Sequence, residues 1–160
     1  METPVMRRDV TALQATMAPG SVVVASTGAG TFEQVLLDGR HQLTADEPIA
    51  AGGRDAGPGP YELLLMALGS CTSMTVRLYA ARKKWPLEQV IVRLRHAKVH
   101  ATDCADCEDK NVLLDRIDRD IEFVGPLDDT QRARLREIAD KCPVHRTLTS
   151  RIEIHTTISG

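Results

Sequence analysis

Between Leu63 and Val76 the chain runs 14 residues without a charge, and small or apolar side chains fall on every face that a helix would have. A helix with no polar face belongs at the centre of a fold rather than on its surface. Pro60 suits the first helical position, where its missing N–H is no loss, and Glu62 in the first turn complements the positive end of the helix dipole. Pro86 sets the far limit, so the spacing predicts a helix over about 60–84. The uncharged run is shorter than the roughly 20 apolar residues that span a bilayer. It is therefore read as core, with no membrane partner.

The flanking segments alternate or break as strands and turns do. Residues 1–20 read as an N-terminal arm in which Val10, Leu13 and Met17 have helical spacing, and residues 21–160 as one domain. Strands are expected at Ser21–Ser26, Phe32–Leu37 and Arg40–Ala45, with Asp38-Gly39 as a two-residue hairpin turn in which both residues take positive φ. A long loop rich in Gly and Pro fills 46–60. Beyond Trp85-Pro86, strands are expected over about 88–101 and Arg116–Val124, the second from the even spacing of Ile117, Ile121 and Phe123. Asp128-Asp129-Thr130 caps a helix with the stripe Leu135, Ile138 and Ala139. Pro143 interrupts that helix, and a last strand is expected at Arg151–Ile158. The order βββ-α-ββ-αα-β is α+β with antiparallel pairing.

Twenty basic residues against 22 acidic ones leave a net charge of −2. No clustered basic face marks a nucleic-acid partner. The charged N-terminal residues are not followed by an apolar signal segment, so a soluble, cytoplasmic protein is expected. Thiols in that compartment are kept reduced, which makes a cysteine pair catalytic, redox-sensing or metal-binding before it is structural.

Two of the four cysteines stand in contrasting settings. Cys142 opens Cys142-Pro143-Val144-His145-Arg146; at a helix start, with His145 and Arg146 beside it, its thiol should ionise below the usual value of about 8.5. The same residue also reads as a small side chain at a helix break. Cys71 lies mid-helix among Leu68, Ser70, Thr72 and Met74, where burial raises a thiol pKa and a cysteine commonly serves as core filler. Cys104 and Cys107 form a C-x-x-C crowded by carboxylates, which disfavours thioredoxin-like chemistry. With His100 they make part of a zinc site, weighed against a polar loop with two incidental thiols. His96 is about 13 Å along the strand from His100 and cannot join the same ion on a straight strand. No cofactor is otherwise implied.

The stretch Gly59-Pro60-Tyr61-Glu62-Leu63-Leu64 … Gly69-Ser70-Cys71, followed by Cys142-Pro143-Val144, resembles the OsmC/Ohr family of osmotically induced and organic-hydroperoxide-resistance proteins. The loop at Asp46-Glu47-Pro48, the Asp103–Cys107 motif and Cys142–Arg146 resemble its YhfA-like branch. The resemblance implies antiparallel sheets wrapped around two central helices in an intertwined homodimer. It implies a thiol-dependent peroxidase active in the oxidative stress response. Cys71 would attack a small hydrophobic hydroperoxide, Cys142 would resolve the sulfenic acid as a disulfide, and a dithiol or lipoylated protein would reduce the pair. That reverses the ranking from local electrostatics.

The chain departs from the family pattern in the groups that activate the attacking thiol. Tyr61 follows Pro60 where peroxidase members have glutamate, and Glu62 comes one residue, about 100° of helix, later. The first hairpin reads Thr31-Phe32-Glu33-Gln34, without the family arginine; Arg40, Arg54 and Arg146 are the substitutes considered. A second reading is therefore a non-catalytic redox sensor or small-molecule binding module using the same dimer-interface pocket. A third is a metal-stabilised structural dimer through Cys104 and Cys107.

Overall fold

The computed structural model describes residues 9–100 and 113–159. The chain divides into two compact units, Met1–Leu63 and Leu64–Gly160. Cys104 and Cys107 lie outside the described residues, as does the side chain of His100, so the zinc expectation falls outside them too.

The first unit opens with a short helix, α1 (Val10–Ala15), whose first turn Asp9 caps by accepting the Thr11 N–H at 3.2 Å. Strands β1 (Val23–Ser26), β2 (Gln34–Leu37) and β3 (Gln42–Ala45) follow in an antiparallel sheet of that order. Val35, Leu37 and Ala45 form its buried side. The turn at Asp38-Gly39 is longer than the sequence suggests. Leu37 pairs with Gln42, so residues 38–41 all lie in the loop. Of the expected pair only Gly39 has positive φ, +89°. The Asp38 carboxylate replaces the second left-handed residue by accepting the amides of Arg40 at 2.9 Å and His41 at 2.6 Å. In the following loop the buried Asp46 carboxylate accepts N–H groups from Glu47 (2.9 Å), Arg54 (2.9 Å) and Ala56 (3.2 Å), holding both ends of the loop together.

Helix α2 (Pro60–Lys83) starts at the end of the first unit and continues through the second. Lys84, in the left-handed conformation (φ 56°), ends it, with Trp85 N–H returning to the Ala80 carbonyl at 3.0 Å, two residues before Pro86. Strands β4 (Gln89–His100) and β5 (Leu113–Val124) pair antiparallel from Gln89–Val124 to His100–Leu113. Their solvent face carries ion pairs, among them Arg93–Glu122 at 2.9 Å and Arg95–Asp118 at 3.2 Å. Helix α3 (Asp129–Ala139) is started by a reciprocal capping box between Asp128 and Gln131, and α4 (Pro143–Leu148) begins with Cys142 as its N-cap. Val76 and Ala80 of α2 pack with Leu127 and with Leu135, Ile138 and Ala139 of α3; Val90, Ile121 and Phe123 of the sheet lie against them.

The α+β class and antiparallel pairing agree with the sequence, and two expectations need correction. Helix α2 is not covered on every side: its buried residues Leu68, Thr72, Val76 and Ala80 form one stripe at four-residue spacing, while Met66, Met74 and Leu78 are exposed. One chain supplies one packing face. By length and composition this 24-residue helix would also satisfy a bilayer, a test the 14-residue uncharged run did not foresee, but its buried stripe is used as protein core. The last strand is absent: residues 151–159 have no regular structure, and Ile152, Ile154 and Ile158 are exposed. Their alternation is strand-like, but among the described residues no neighbouring strand offers backbone partners to that segment.

Candidate functional site

The fourth turn of α2 and the α3–α4 break bring Cys71 and Cys142 together within the second unit. Thr72 belongs to the buried stripe of α2 and Cys71 precedes it at the edge of that stripe, and Pro143 opens α4 directly after Cys142. The break places the Cys142 side chain in the core, 0% exposed, whereas Cys71 is partly accessible. Both thiols are free and hydrogen-bonded to one another.

Their electrostatics differ in sign. Burial opposes ionisation of Cys142, but its sulfur is surrounded by donors: the Cys71 thiol, the His145 amide, the Thr72 hydroxyl and the Val144 amide. Together they hold its pKa below the ordinary thiol value. For Cys71, burial pushes the pKa up and the hydrogen bond to Cys142 adds to it; the Val144 amide and the Thr75 hydroxyl only partly offset this. Of the two thiols, Cys142 is the one whose surroundings favour the anion, and Cys71 the one whose surroundings favour the thiol. The direction at Cys142 is the one that its local sequence suggests.

A residue not singled out in the sequence stands behind it. Arg119 of β5 is directed inward, its side chain 13% exposed, and donates from Nη1 to the Thr72 hydroxyl at 3.1 Å and to the Ala139 carbonyl at 3.4 Å. Its Nη2 meets Asp140 Oδ1 at 2.5 Å. The signal was present: Arg119 shares the strand parity of Ile117, Ile121 and Phe123 and faces Leu94 across the ladder, so the alternation puts a charge where it calls for an apolar side chain. Beside Arg119 opens a cavity of about 400 Å³ lined by Leu68, Ile117, Leu148, His145, Asp115 and Thr149. His145 contributes its amide to Cys142 and its side chain to this cavity. Arg146 donates its backbone N–H to the Cys142 carbonyl at 3.0 Å, and its side chain is exposed.

The remaining candidates belong to the first unit. Glu62 accepts the Gly59 N–H at 2.8 Å and so caps the start of α2, and Tyr61 is half exposed. Arg40 is exposed at the β2–β3 loop. Arg54 reaches Glu33 at 3.5 Å and the Ala29 carbonyl at 2.8 Å, while Glu33 also accepts the Thr27 hydroxyl at 2.7 Å. An arginine–carboxylate pair is therefore present in this unit, with the carboxylate on the hairpin and the arginine before the helix. Among the described residues no group of three or more His, Cys, Asp or Glu is placed to hold a metal ion.

The family model for OsmC-like protein matches residues 52–157. None of the curated protein sequences compared with the chain matches it. Solved structures do. An OsmC-like protein from Mycoplasma pneumoniae is 19% identical with a TM-score of 0.62, over 80% of this chain and 85% of that one. An organic hydroperoxide resistance protein OsmC from Legionella pneumophila is 19% identical at 0.58, over 83% and 92%. The organic hydroperoxide resistance protein OhrB of Bacillus subtilis is 16% identical at 0.55, over 81% and 89%. At these identities the likeness is one of fold.

Proposed function

The chain belongs to the OsmC-like protein family, and on that premise we propose that it is a thiol-dependent peroxidase that reduces organic hydroperoxides with Cys71 and Cys142 as part of an oxidative stress response. The observation that carries this reading is the contact between two reduced thiols of unequal access, one partly exposed and one fully buried. A peroxide can reach Cys71; Cys142 is reached only by Cys71. Attack by Cys71 on the outer peroxide oxygen breaks the O–O bond, giving a Cys71 sulfenic acid and an alcohol. Cys142 then attacks the Cys71 sulfur, releasing hydroxide and forming the disulfide. A dithiol or a lipoylated protein returns both thiols, and the cycle needs no cofactor. Leu68, one helical turn before Cys71, also lines the cavity beside Arg119, and with Ile117 and Leu148 it supplies apolar surface in keeping with a small organic hydroperoxide. The working form in this reading is a cytoplasmic intertwined homodimer in which the open face of α2 meets its copy.

Stopped-flow oxidation of the reduced protein by cumene hydroperoxide tests the assignment. Wild type is expected to lose two thiols per peroxide consumed, with a Cys71–Cys142 disulfide found by mass spectrometry, and Cys71→Ser to be inert. Equal rates for Cys71→Ser and wild type would discard it. The upward shift at Cys71, from burial and the hydrogen bond to Cys142, slows attack and favours a second reading, a redox sensor. A sensor would form the same disulfide once and show negligible turnover with a dithiol present.

A further inference from the structure

The family arginine is missing from the hairpin, yet an arginine on another element reaches the Thr72 hydroxyl beside the thiol pair. Arg119 enters from β5 on the inner face of the sheet, at a strand position where its neighbours of the same parity are apolar. Its Nη1 donates to the Thr72 hydroxyl at 3.1 Å, and that hydroxyl lies within reach of two acceptors, the Leu68 carbonyl at 2.8 Å and the Cys142 sulfur. A hydroxyl has one proton and two lone pairs. With Arg119 occupying a lone pair, the proton is the part left to give, and a sulfur anion is a stronger acceptor than a carbonyl that already serves the helix. Asp140 and the Ala139 carbonyl fix the guanidinium on its other side.

We propose that Cys142 acts twice, as the base that takes the Cys71 proton and then as the resolving thiol, with Arg119 and Thr72 as the positioning residues that fit it for the first task. The proposal rests on the peroxidase reading above. As Cys71 Sγ attacks the outer oxygen of the hydroperoxide, its proton passes to Cys142 Sγ. The O–O bond breaks, Cys71 becomes the sulfenic acid, and the departing alkoxide takes the proton back from Cys142 and leaves as the alcohol. Cys142 ends this step as a thiolate already in contact with the sulfur it must attack. The S–S bond then forms and hydroxide leaves. No separate base and no second cation are needed, and the low accessibility of Cys142 keeps it from being oxidised first.

Within the second unit the groups that bear on this titration are Cys71 from α2, Arg119 from β5 with Asp140 behind it, Asp115 across the cavity, and Lys141, His145 and Arg146 on the segment of Cys142 itself. The test uses the full chain with Cys104→Ser and Cys107→Ser, so that only two thiols report. Formation of the Cys71 sulfenic acid by cumene hydroperoxide is followed with a sulfenic-acid trap, and thiolate formation by ultraviolet absorbance against pH without peroxide. Cys142→Ser should slow the first oxidation about 100-fold at neutral pH, the effect of removing a general base. Thr72→Val and Arg119→Met should each move the lower thiolate titration up by about one pH unit, a tenfold change in ionisation. Thr72→Ser should titrate as wild type, and Arg119→Lys should recover part of the shift. A Cys142→Ser protein that forms sulfenic acid at the wild-type rate overturns the base role. A titration unmoved in Thr72→Val and Arg119→Met, or moved as far by Thr72→Ser, overturns the positioning role. If the wild type is inert to peroxide while the titrations move as expected, the peroxidase reading and the base role fall together, and the positioning of Cys142 by Arg119 and Thr72 stands.

Discussion

Arg119 and Asp140 meet at 2.5 Å with unequal stakes: the guanidinium side chain is 13% exposed and the carboxylate 59%. Removing either member breaks the same contact but strands a different charge. Arg119→Met returns Asp140 to water and fills an apolar position on β5, so it should change unfolding free energy by no more than about 1 kcal/mol. Asp140→Ala leaves a largely buried cation with the Thr72 hydroxyl and the Ala139 carbonyl as its remaining partners, and should cost about 2 kcal/mol. Urea denaturation of the two variants checks the order. Equal losses would mean that the pair is held by its surface half.

Gly125 occupies a corner that a side chain cannot enter. Its φ is +135°, and a Cβ there would lie 2.2 Å from the Pro86 carbonyl oxygen, which is backbone and cannot step aside. Gly125→Ala should therefore cost on the order of 2–3 kcal/mol. Gly69 makes a useful contrast. A Cβ on it would meet Leu94 Cδ1 at 2.9 Å, the end of a side chain that can turn. Alanine also favours a helix by about 1 kcal/mol over glycine. Gly69→Ala should stay within about 1 kcal/mol of wild type in the same denaturation experiment.

Local chemistry was readable in the sequence, and distant pairing was not. Pro60, Pro86 and Pro143 mark helix limits because proline acts on its own backbone and the residue before it, and the Asp128–Gln131 box marks the start of α3 for a similarly local reason. The contact of Cys71 with Cys142 joins residues 71 positions apart, and only the family resemblance suggested it. Arg119 lies between these cases. Its parity with Ile117, Ile121 and Phe123 marks it as inward, but nothing local says that Thr72 lies opposite. The tail 151–159 has the alternation of a strand, while the neighbour a strand requires cannot be read from its own residues.

Asp46 ties loop stability to pH. Burial works against its charge, but the amides of Glu47, Ala56 and Arg54 hold the carboxyl below its ordinary pKa. A carboxyl with a depressed folded pKa contributes its full stabilisation above the unfolded value of about 3.9. That contribution is lost as pH falls through the lower, folded value. The amide resonances of Arg54 and Ala56 should therefore stay unchanged down to the ordinary aspartate range and move together only below it. Asp46→Ala, which removes the Oδ2 that both amides share, should raise hydrogen exchange at both already at neutral pH. Amides that titrate at the usual aspartate value would remove Asp46 as the loop's anchor.

Met74 is the most exposed apolar residue on α2, at 69%, and with Met66 and Leu78 it leaves a stripe of the helix uncovered. Side chains four residues apart lie one above another on a helix, so Met66, Ser70, Met74 and Leu78 make one continuous ridge. A ridge of this kind is met most simply by its own copy across a two-fold axis, since an isologous contact needs no second surface. In the homodimer proposed above, burying Met74 on both chains would contribute roughly 1.5–3 kcal/mol per side chain. Sedimentation should accordingly give twice the single-chain mass of 17.5 kDa for the wild type. Met74→Glu places two carboxylates against each other at the centre of that contact, and at micromolar concentration it should sediment at the single-chain mass. Its α-helical circular dichroism should persist, because the buried stripe Leu68, Thr72, Val76 and Ala80 is on another face of the helix. A Met74→Glu protein that still sediments as a dimer would move the interface off α2.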